Sequence, residues 1–288
     1  MSTKLPVTRH TAQLRQMVQH WRRRGHKVAL IPTMGGLHEG HLSLVRLARE
    51  HASRVIVSVF VNPTQFAPHE DFDNYPRSEE RDWHKLLSVQ ADAMYAPDTH
   101  EIYPADFATR VEVAGVAQTL EGISRPHFFS GVTTVVTKLF LQSLPDIALF
   151  GEKDYQQLLV VKQLVRDLNF PIAIVPGPTV READGLAMSS RNVYLDPEDR
   201  AIAPQLYAVL VEMAQDLGAG RPVEETVSKG AGRLESAGFR VDYFEVRDAE
   251  TLMPTESTVE KPARLLAAAY LGKVRLIDNI AVVPAPGR

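Results

Sequence analysis

The sequence predicts an α/β chain in two parts: a doubly wound parallel sheet, then a smaller α+β domain carrying an antiparallel sheet. Three observations carry this. Short runs that are apolar on both faces alternate with stretches of helical periodicity, the pattern of buried parallel strands joined by crossover helices. In the last third, two helical patterns precede three strand-like ones. The composition changes at Pro176-Gly177-Pro178, and a chain of 288 residues has room for two ordinary domains. The domains are therefore placed at 1–178 and 179–288.

In chain order, Leu14, Met17, Val18 and Trp21 recur at helical spacing, and Gly25 follows a basic last turn that suits the helix dipole, so 11–24 reads as a helix. Strands are expected at 28–31, 55–61, 93–96, 147–150 and 172–175, with helices between them. Beyond the division, helices are expected at about 197–217 and 223–236, then strands near 239–247, 264–271 and 274–282. No repeat or low-complexity stretch interrupts the series.

Composition narrows the chemistry. The chain has no Cys, which excludes disulfides, Cys-ligated zinc, iron-sulfur clusters and thiol nucleophiles, and favours a reducing cytoplasm. Lys plus Arg number 32 against 35 Asp plus Glu, a net charge of -3 that lacks the basic excess of a nucleic-acid binder. The longest clean apolar run, 265–271, falls short of the roughly 20 residues of a membrane span. The polar start MSTKLPVTRHTAQ has no signal-peptide core, so neither membrane insertion nor export is expected.

In a doubly wound sheet, ligands bind beyond the carboxyl ends of the strands, which directs attention to the loops that follow them. The first strand runs into Pro32-Thr33-Met34-Gly35-Gly36-Leu37-His38-Glu39-Gly40-His41, after which Leu42, Val45 and Leu47 begin a helix. His38 and His41 thus stand at or just before a helix N-terminus, facing the same way. Backbone N–H groups there attract anions, glycines let a phosphate approach, and two imidazoles can donate to a phosphoryl group gaining charge. The plainer alternative is a pair of partly solvated histidines. No third His or carboxylate lies at a spacing that suggests a metal site. Asn62-Pro63-Thr64-Gln65-Phe66, after the second strand, says only turn. Gly151-Glu152-Lys153-Asp154-Tyr155-Gln156-Gln157 opens another helix with a Lys that the helix dipole repels unless a phosphate lies between them. A solvated Lys beside Glu152 and Asp154 is the alternative. Met188-Ser189-Ser190-Arg191-Asn192, after Asp184-Gly185, offers two hydroxyls and a guanidinium, all good phosphate ligands.

In order and spacing, the segments Thr-Met-Gly-Gly-Leu-His-Glu-Gly-His, Phe-Val-Asn-Pro-Thr-Gln-Phe, Phe-Gly-Glu-Lys-Asp-Tyr-Gln-Gln-Leu and Asp-Gly-Leu-Ala-Met-Ser-Ser-Arg-Asn closely resemble the signatures of the pantothenate synthetase (pantoate–β-alanine ligase) family. That family lies within the His-x-x-His nucleotidyltransferases, and the resemblance runs from about residue 27 through Asp278-Asn279. It implies a Rossmann-like first domain that binds nucleotide and pantoate, with the second domain as a lid. It implies ligation of pantoate to β-alanine at the expense of ATP, through a pantoyl adenylate, with AMP and pyrophosphate released. A cytoplasmic homodimer and Mg²⁺ dependence are implied as well.

Carried onto this chain, the resemblance makes His41 catalytic with His38 as partner, and Lys153 the group that neutralises phosphate charge. It assigns Pro32, Thr33, Met34, Gly35, Gly36, Leu37, His38, Glu39, Gly40 and His41 to ATP, with Gly151, Glu152, Lys153, Asp154, Val180, Met188, Ser189, Ser190 and Arg191. Gln65 and Gln157 fall to pantoate, Gln65 also to β-alanine, and Asn62, Tyr75 and Glu121 line the site. One departure stands out. The family usually reads Arg-Pro-x-His-Phe-x-Gly-Val, whereas here Phe128 stands where the His is expected, beside His127.

The physical logic agrees with the resemblance. Attack on an α-phosphate builds negative charge, so positioning and electrostatics dominate. Donors from both halves and Mg²⁺ would surround that phosphate, and closure of the hinge would keep water from the acyl adenylate. Two rival readings are a nucleotidylyltransferase or tRNA-charging enzyme, and a non-catalytic nucleotide sensor. The first lacks an evident RNA-binding domain. The second sits poorly with retention of both His residues, Lys153 and the Ser-Ser-Arg run.

Overall fold

The computed structural model describes residues 4–68 and 70–284; residues 1–3 and 285–288, the outer ends of the two expected domains, lie outside the described residues, as does His69. Contacts divide the chain into two compact units, one through Glu152 together with Gln157–Pro178, the other from Thr179 onward together with Lys153–Gln156.

In the first unit the chain runs β1 (Val7–Thr8), α1 (Thr11–Arg23), β2 (Val28–Thr33), α2 (Glu39–His51), β3 (Arg54–Val59), α3 (Glu79–Ser88), β4 (Ala93–Tyr95), α4 (Thr99–Ile102), α5 (Glu121–Ser124), α6 (Phe128–Ser143), β5 (Ile147–Gly151), α7 (Tyr155–Asp167) and β6 (Ala173–Gly177). The strands form one wholly parallel sheet in the order β1-β4-β3-β2-β5-β6, the doubly wound architecture the sequence predicts. Strand alternation explains why every residue from Val28 to Ile31 is buried. Val28 and Leu30 enter the cluster built from Leu14 and Val18 of α1, Val132 and Val136 of α6 and Leu158 and Val161 of α7. Ala29 and Ile31 enter the opposite cluster, with Leu42 and Val45 of α2 and Leu86 of α3. Helices cover both faces, so no face of the strand needs to be polar. The connections reverse direction at β2, between β3 and β5, which makes the loop after β2 the edge of the topological switch point.

Two departures from the expected strands have simple causes. β1 is a two-residue edge strand, Val7 pairing Met94, too short to show periodicity in a polar segment. β3 leaves the sheet at Val59, short of the expected 61, because Asn62-Pro63 starts a 3-10 turn over Pro63–Gln65; Phe60 stays buried under that turn.

The second unit contains α8 (Pro197–Ile202), α9 (Gln205–Gly218), α10 (Val223–Ser236), and the antiparallel sheet β7 (Arg240–Asp248), β8 (Ala263–Leu271) and β9 (Val274–Val282), in the order β7-β8-β9. Leu206, Leu210 and Met213 of α9 pack with Leu234 of α10 against Phe244, Leu265 and Leu276 of the sheet. The single helix expected at 197–217 is two helices. Pro204 supplies no N–H to continue the ladder and α9 starts immediately after it, while the Asp196 side chain caps α8 by accepting from Asp199 N at 2.8 Å.

α10 lies so close to the sheet that a Cβ on Gly230 would stand 2.5 Å from Phe244 Cε1 and 2.9 Å from Met213 Cγ. Gly230→Ala therefore tests which effect wins. Helix propensity favours Ala by about 1 kcal/mol, but overpacking a core costs about 1 to 3 kcal/mol. The expected net result is a lower melting temperature in thermal unfolding; a rise would mean that α10 can move away from Phe244.

Candidate active site

The first part of the site is the turn after β2. Gly35 and Gly36 adopt φ of +82° and +60°, which a side chain resists. A Cβ on Gly35 would also sit 3.0 Å from Asp82 Oδ2. Gly35 N–H donates to Thr33 Oγ1 (3.2 Å), Gly36 N–H to Asp82 Oδ2 (2.9 Å) and Leu37 N–H to Asp82 Oδ1 (2.8 Å). Lys85 Nζ donates to the Leu37 carbonyl at 2.5 Å. The glycines here thus serve a tight turn and the close approach of a carboxylate, with three successive N–H groups directed into the protein. Asp82 is 2 % exposed, and burial pushes its carboxyl up against the opposing pull of the two N–H groups, Lys85 and Arg81.

The turn delivers His38 as N-cap of α2 and His41 into its first turn. Their ring centroids lie 4.1 Å apart at 39°, so the pair does share one place. His38 N–H donates to His41 Nδ1 at 3.3 Å. In the neutral ring this assigns the proton to Nε2 and makes Nε2–H the donor of the His41 side chain, at a helix N-terminus where an anion is favoured. Glu39 is directed elsewhere: it is exposed and paired with Arg46.

The second part is a chain of amides on the loop after β3. Tyr103 OH donates to Asn62 Oδ1 (2.8 Å), Asn62 Nδ2 to Gln65 Oε1 (3.0 Å), and Gln65 Nε2 to Met34 Sδ (3.1 Å). Thr64 also donates to Asn62 Oδ1, by its N–H and by its hydroxyl, so both amides have one consistent orientation. Burial pushes the Tyr103 hydroxyl up, with its bonds to Thr64 and Asn62 opposing. Asn62 is 1 % and Gln65 7 % exposed. The loop can sit this deep because α6 presents Gly131, whose Cβ would meet Thr64 O at 2.5 Å and Gln65 Cα at 2.9 Å.

Arg125 binds that loop from the other side. Its Nε and Nη2 hold both oxygens of Glu70 (2.7 and 2.6 Å), Nη1 holds Glu121 Oε1 (3.0 Å), and Nη2 also donates to the Gln65 carbonyl (3.0 Å). Tyr75 is buried edge-on to Phe66, which meets Phe72. At the end of β5 in the same unit, Gly151 pairs with Gly177, and Gln157 is half-buried in the first turn of α7.

In the second unit, Lys153 lies in a 3-10 turn, Glu152–Asp154, that precedes α7, with Nζ 3.9 Å from Asp154 Oδ1. Its carbonyl accepts from Asn279 Nδ2 at 2.8 Å, and Asn279 Oδ1 accepts from Arg264 at 2.6 Å. Met188 N–H donates to Val180 O, so Val180 and Met188 lie side by side across a hairpin that turns at Gly185. Ser189 Oγ caps the Ser190–Tyr194 turn by accepting from Arg191 N–H.

Sequence reasoning missed Asp82, Lys85, Tyr103 and Glu70. Asp82 looks in sequence like one more acidic residue in the first turn of α3, beside Glu79 and Glu80, where the helix dipole already accounts for it. Tyr103 and Glu70 carry no spacing that links them to the site.

The pantoate-beta-alanine ligase family profile matches residues 6–281. The chain belongs to this family. A pantothenate synthetase of Rhodopseudomonas palustris (strain HaA2) is 54 % identical over 277 residues, covering 96 % of this chain and 98 % of that protein. The crystal structure of pantothenate synthetase from Thermus thermophilus superposes with a TM-score of 0.91 at 46 % identity, covering 97 % of this chain and all of that one. The pantoate-beta-alanine ligase of Francisella tularensis, complexed with beta-gamma ATP and beta-alanine, gives a TM-score of 0.82 at 34 % identity, over 96 % and 97 % of the two chains. Phe128 lies under the Arg125 guanidinium at 4.1 Å, a cation–π contact. Among the described residues, no group of three or more His, Asp or Glu side chains could hold a metal ion, and no helix is long and apolar enough to cross a membrane.

Burial raises the Glu70 pKa, but the hydrogen bond and charge of Arg125 and the Ala67 N–H outweigh it, so the carboxyl sits below its ordinary value. A depressed folded pKa contributes stability above the unfolded value of about 4.3, and that stability is lost as pH falls through the folded value. Carboxyl ¹³C titration should place Glu70 below the ordinary glutamate pKa in the wild type and above it in Arg125→Gln, where burial remains and the charge does not. An unchanged value would show that Arg125 is not what holds Glu70 ionised.

Proposed function

We propose that this chain ligates pantoate and β-alanine to pantothenate at the expense of ATP, using His41 as the donor to the reacting phosphate. Membership of the pantoate-beta-alanine ligase family over residues 6–281 supports the reaction, and the hydrogen bond from His38 N–H to His41 Nδ1 at the head of α2, which favours the Nε2–H tautomer, supports the role. The Francisella relative, with its beta-gamma ATP and beta-alanine, supports the nucleotide and the amine.

In the first step a pantoate carboxylate oxygen attacks the α-phosphorus, the α–β bridging bond breaks, and pyrophosphate leaves. Charge accumulates on phosphate oxygens that His41, with His38 beside it, stabilises by hydrogen bonding. In the second step the amine of β-alanine attacks the acyl carbon, AMP departs with the bond electrons, and the amine loses a proton. Gln65 and Gln157 orient pantoate. An amide donates and accepts, matching a substrate with a carboxylate and two hydroxyls, whereas a cation would damp the nucleophile. Gln65 spends only a weak sulfur acceptor, Met34 Sδ, on its Nε2, which a substrate oxygen readily replaces.

The family pattern assigns Lys153, Val180, Met188, Ser189, Ser190 and Arg191 to the nucleotide, and their cations and hydroxyls suit phosphate. Mg²⁺ would enter with the ATP phosphates, since few protein carboxylates are needed for that mode, and it would neutralise phosphate charge. A homodimer in the cytoplasm belongs to the same reading.

Pantoate with ATP, but without β-alanine, should exchange labelled pyrophosphate into ATP; exchange that strictly requires β-alanine would sink the adenylate. His41→Ala and Lys153→Ala should each lower that exchange about 10² to 10³-fold with the fold intact.

Gln65→Leu and Gln157→Leu should raise the KM for pantoate about tenfold or more and leave ATP binding nearly unchanged. Loss of ATP affinity with pantoate affinity kept would move both glutamines to the nucleotide.

A further inference from the structure

The α3 helix carries a device that the reaction chemistry does not use directly. Asp82 and Lys85 lie one turn apart on α3, and they grip the same stretch of backbone from opposite polarity. Asp82 accepts from Gly36 and Leu37 N–H at 2.9 and 2.8 Å, while Lys85 donates to the Leu37 carbonyl at 2.5 Å. Leu37 therefore has its N–H and its C=O both fixed by one helix. The next N–H in the chain, that of His38, is the one that donates to His41 Nδ1 at 3.3 Å.

We propose that Asp82 and Lys85 are positioning residues that set the tautomer and direction of the His41 ring. The inference rests on the reading of His41 given above. The route is a series of single bonds and hydrogen bonds: α3 fixes the Leu37 peptide, that peptide fixes the direction of His38 N–H, and His38 N–H holds Nδ1 as an acceptor, so that the proton stays on Nε2. Two further observations support a dedicated grip. Gly35, at φ +82°, leaves 3.0 Å between its Cβ position and Asp82 Oδ2, so the turn is shaped around the carboxylate. Asp82 is 2 % exposed, and a carboxylate is kept buried there although an apolar side chain would fill the same space without desolvating a charge. Each carboxylate oxygen takes one of the two consecutive N–H groups, and asparagine held in the same place would set its NH₂ against one of them.

The test is a double-mutant cycle between Asp82→Asn and His41→Ala, read by pantoate-dependent exchange of pyrophosphate into ATP, with histidine ¹⁵N spectra recorded on the same proteins. Misplacing a catalytic group by about 1 Å costs up to 10²-fold, so Asp82→Asn should lower the exchange rate about tenfold or more with the KM for pantoate nearly unchanged. In the His41→Ala background it should cost nothing further. The His41 ring in the wild type should show the Nε2–H tautomer, and Asp82→Asn should mix the two tautomers. Lys85→Met, run in the same cycle, releases the Leu37 carbonyl with the buried carboxylate intact and covers the case in which Asp82→Asn does not fold. Additive losses, or unchanged His41 spectra in the folded variants, would overturn the proposal. Absence of exchange in the wild type would instead overturn the assigned reaction, and the ¹⁵N spectra would still decide whether α3 sets the His41 ring.

Discussion

A strand buried on both faces has to end without leaving its backbone polar groups stranded, and the end of β2 is where this constraint bears on the site. The chain must reverse from strand to helix at the topological switch point, through two residues of positive φ, beside a packed core. Each buried N–H left without an acceptor would cost about 1 to 3 kcal/mol. Thr33 Oγ1 and the two oxygens of Asp82 take the three N–H groups of the turn. The backbone N–H groups of Gly35, Gly36 and Leu37 are thereby spent on the fold.

The amides are governed by a different physical rule. Asn62, Gln65, Tyr103 and Met34 make a directional series, with Asn62 Nδ2 donating to the Gly131 carbonyl as well. The buried amides keep a single orientation because reversing either would set donor against donor. Gly131 lets α6 come within contact of the turn that carries them. On the far side of the turn, Arg125 neutralises Glu70 and faces Glu121, with the Phe128 ring on its flat surface. A buried ion pair of this kind contributes little by itself, but removal of one partner leaves a charge stranded.

The main elements were legible because periodicity reports burial. The runs at 28–31 and 147–150 are uniformly apolar for a reason visible in the structure: alternate residues enter two separate clusters, one on each face of the sheet. What periodicity misses is local. It reads 197–217 as one helix, since the apolar spacing continues through Ala203-Pro204 although the hydrogen-bond ladder does not. It passes over β1, where two residues at a sheet edge are too few to make a pattern.

For the site, the sequence alone picked out candidate residues on loops after strands, because glycines, His-x-x-His spacing and a Lys beside a helix start depend only on near neighbours in the chain. It also determined the family, through four motifs in order. The tertiary structure decided everything that depends on partners far apart along the chain. Gln65 reads in sequence only as part of a turn, and is buried because α6 meets that turn at Gly131. Asp82 reads as one helix-capping acid among three, and becomes the acceptor for the glycine turn because α3 packs against the end of β2. Hydrogen bonds and burial are set by which elements pack together, and no local pattern of residues records that choice.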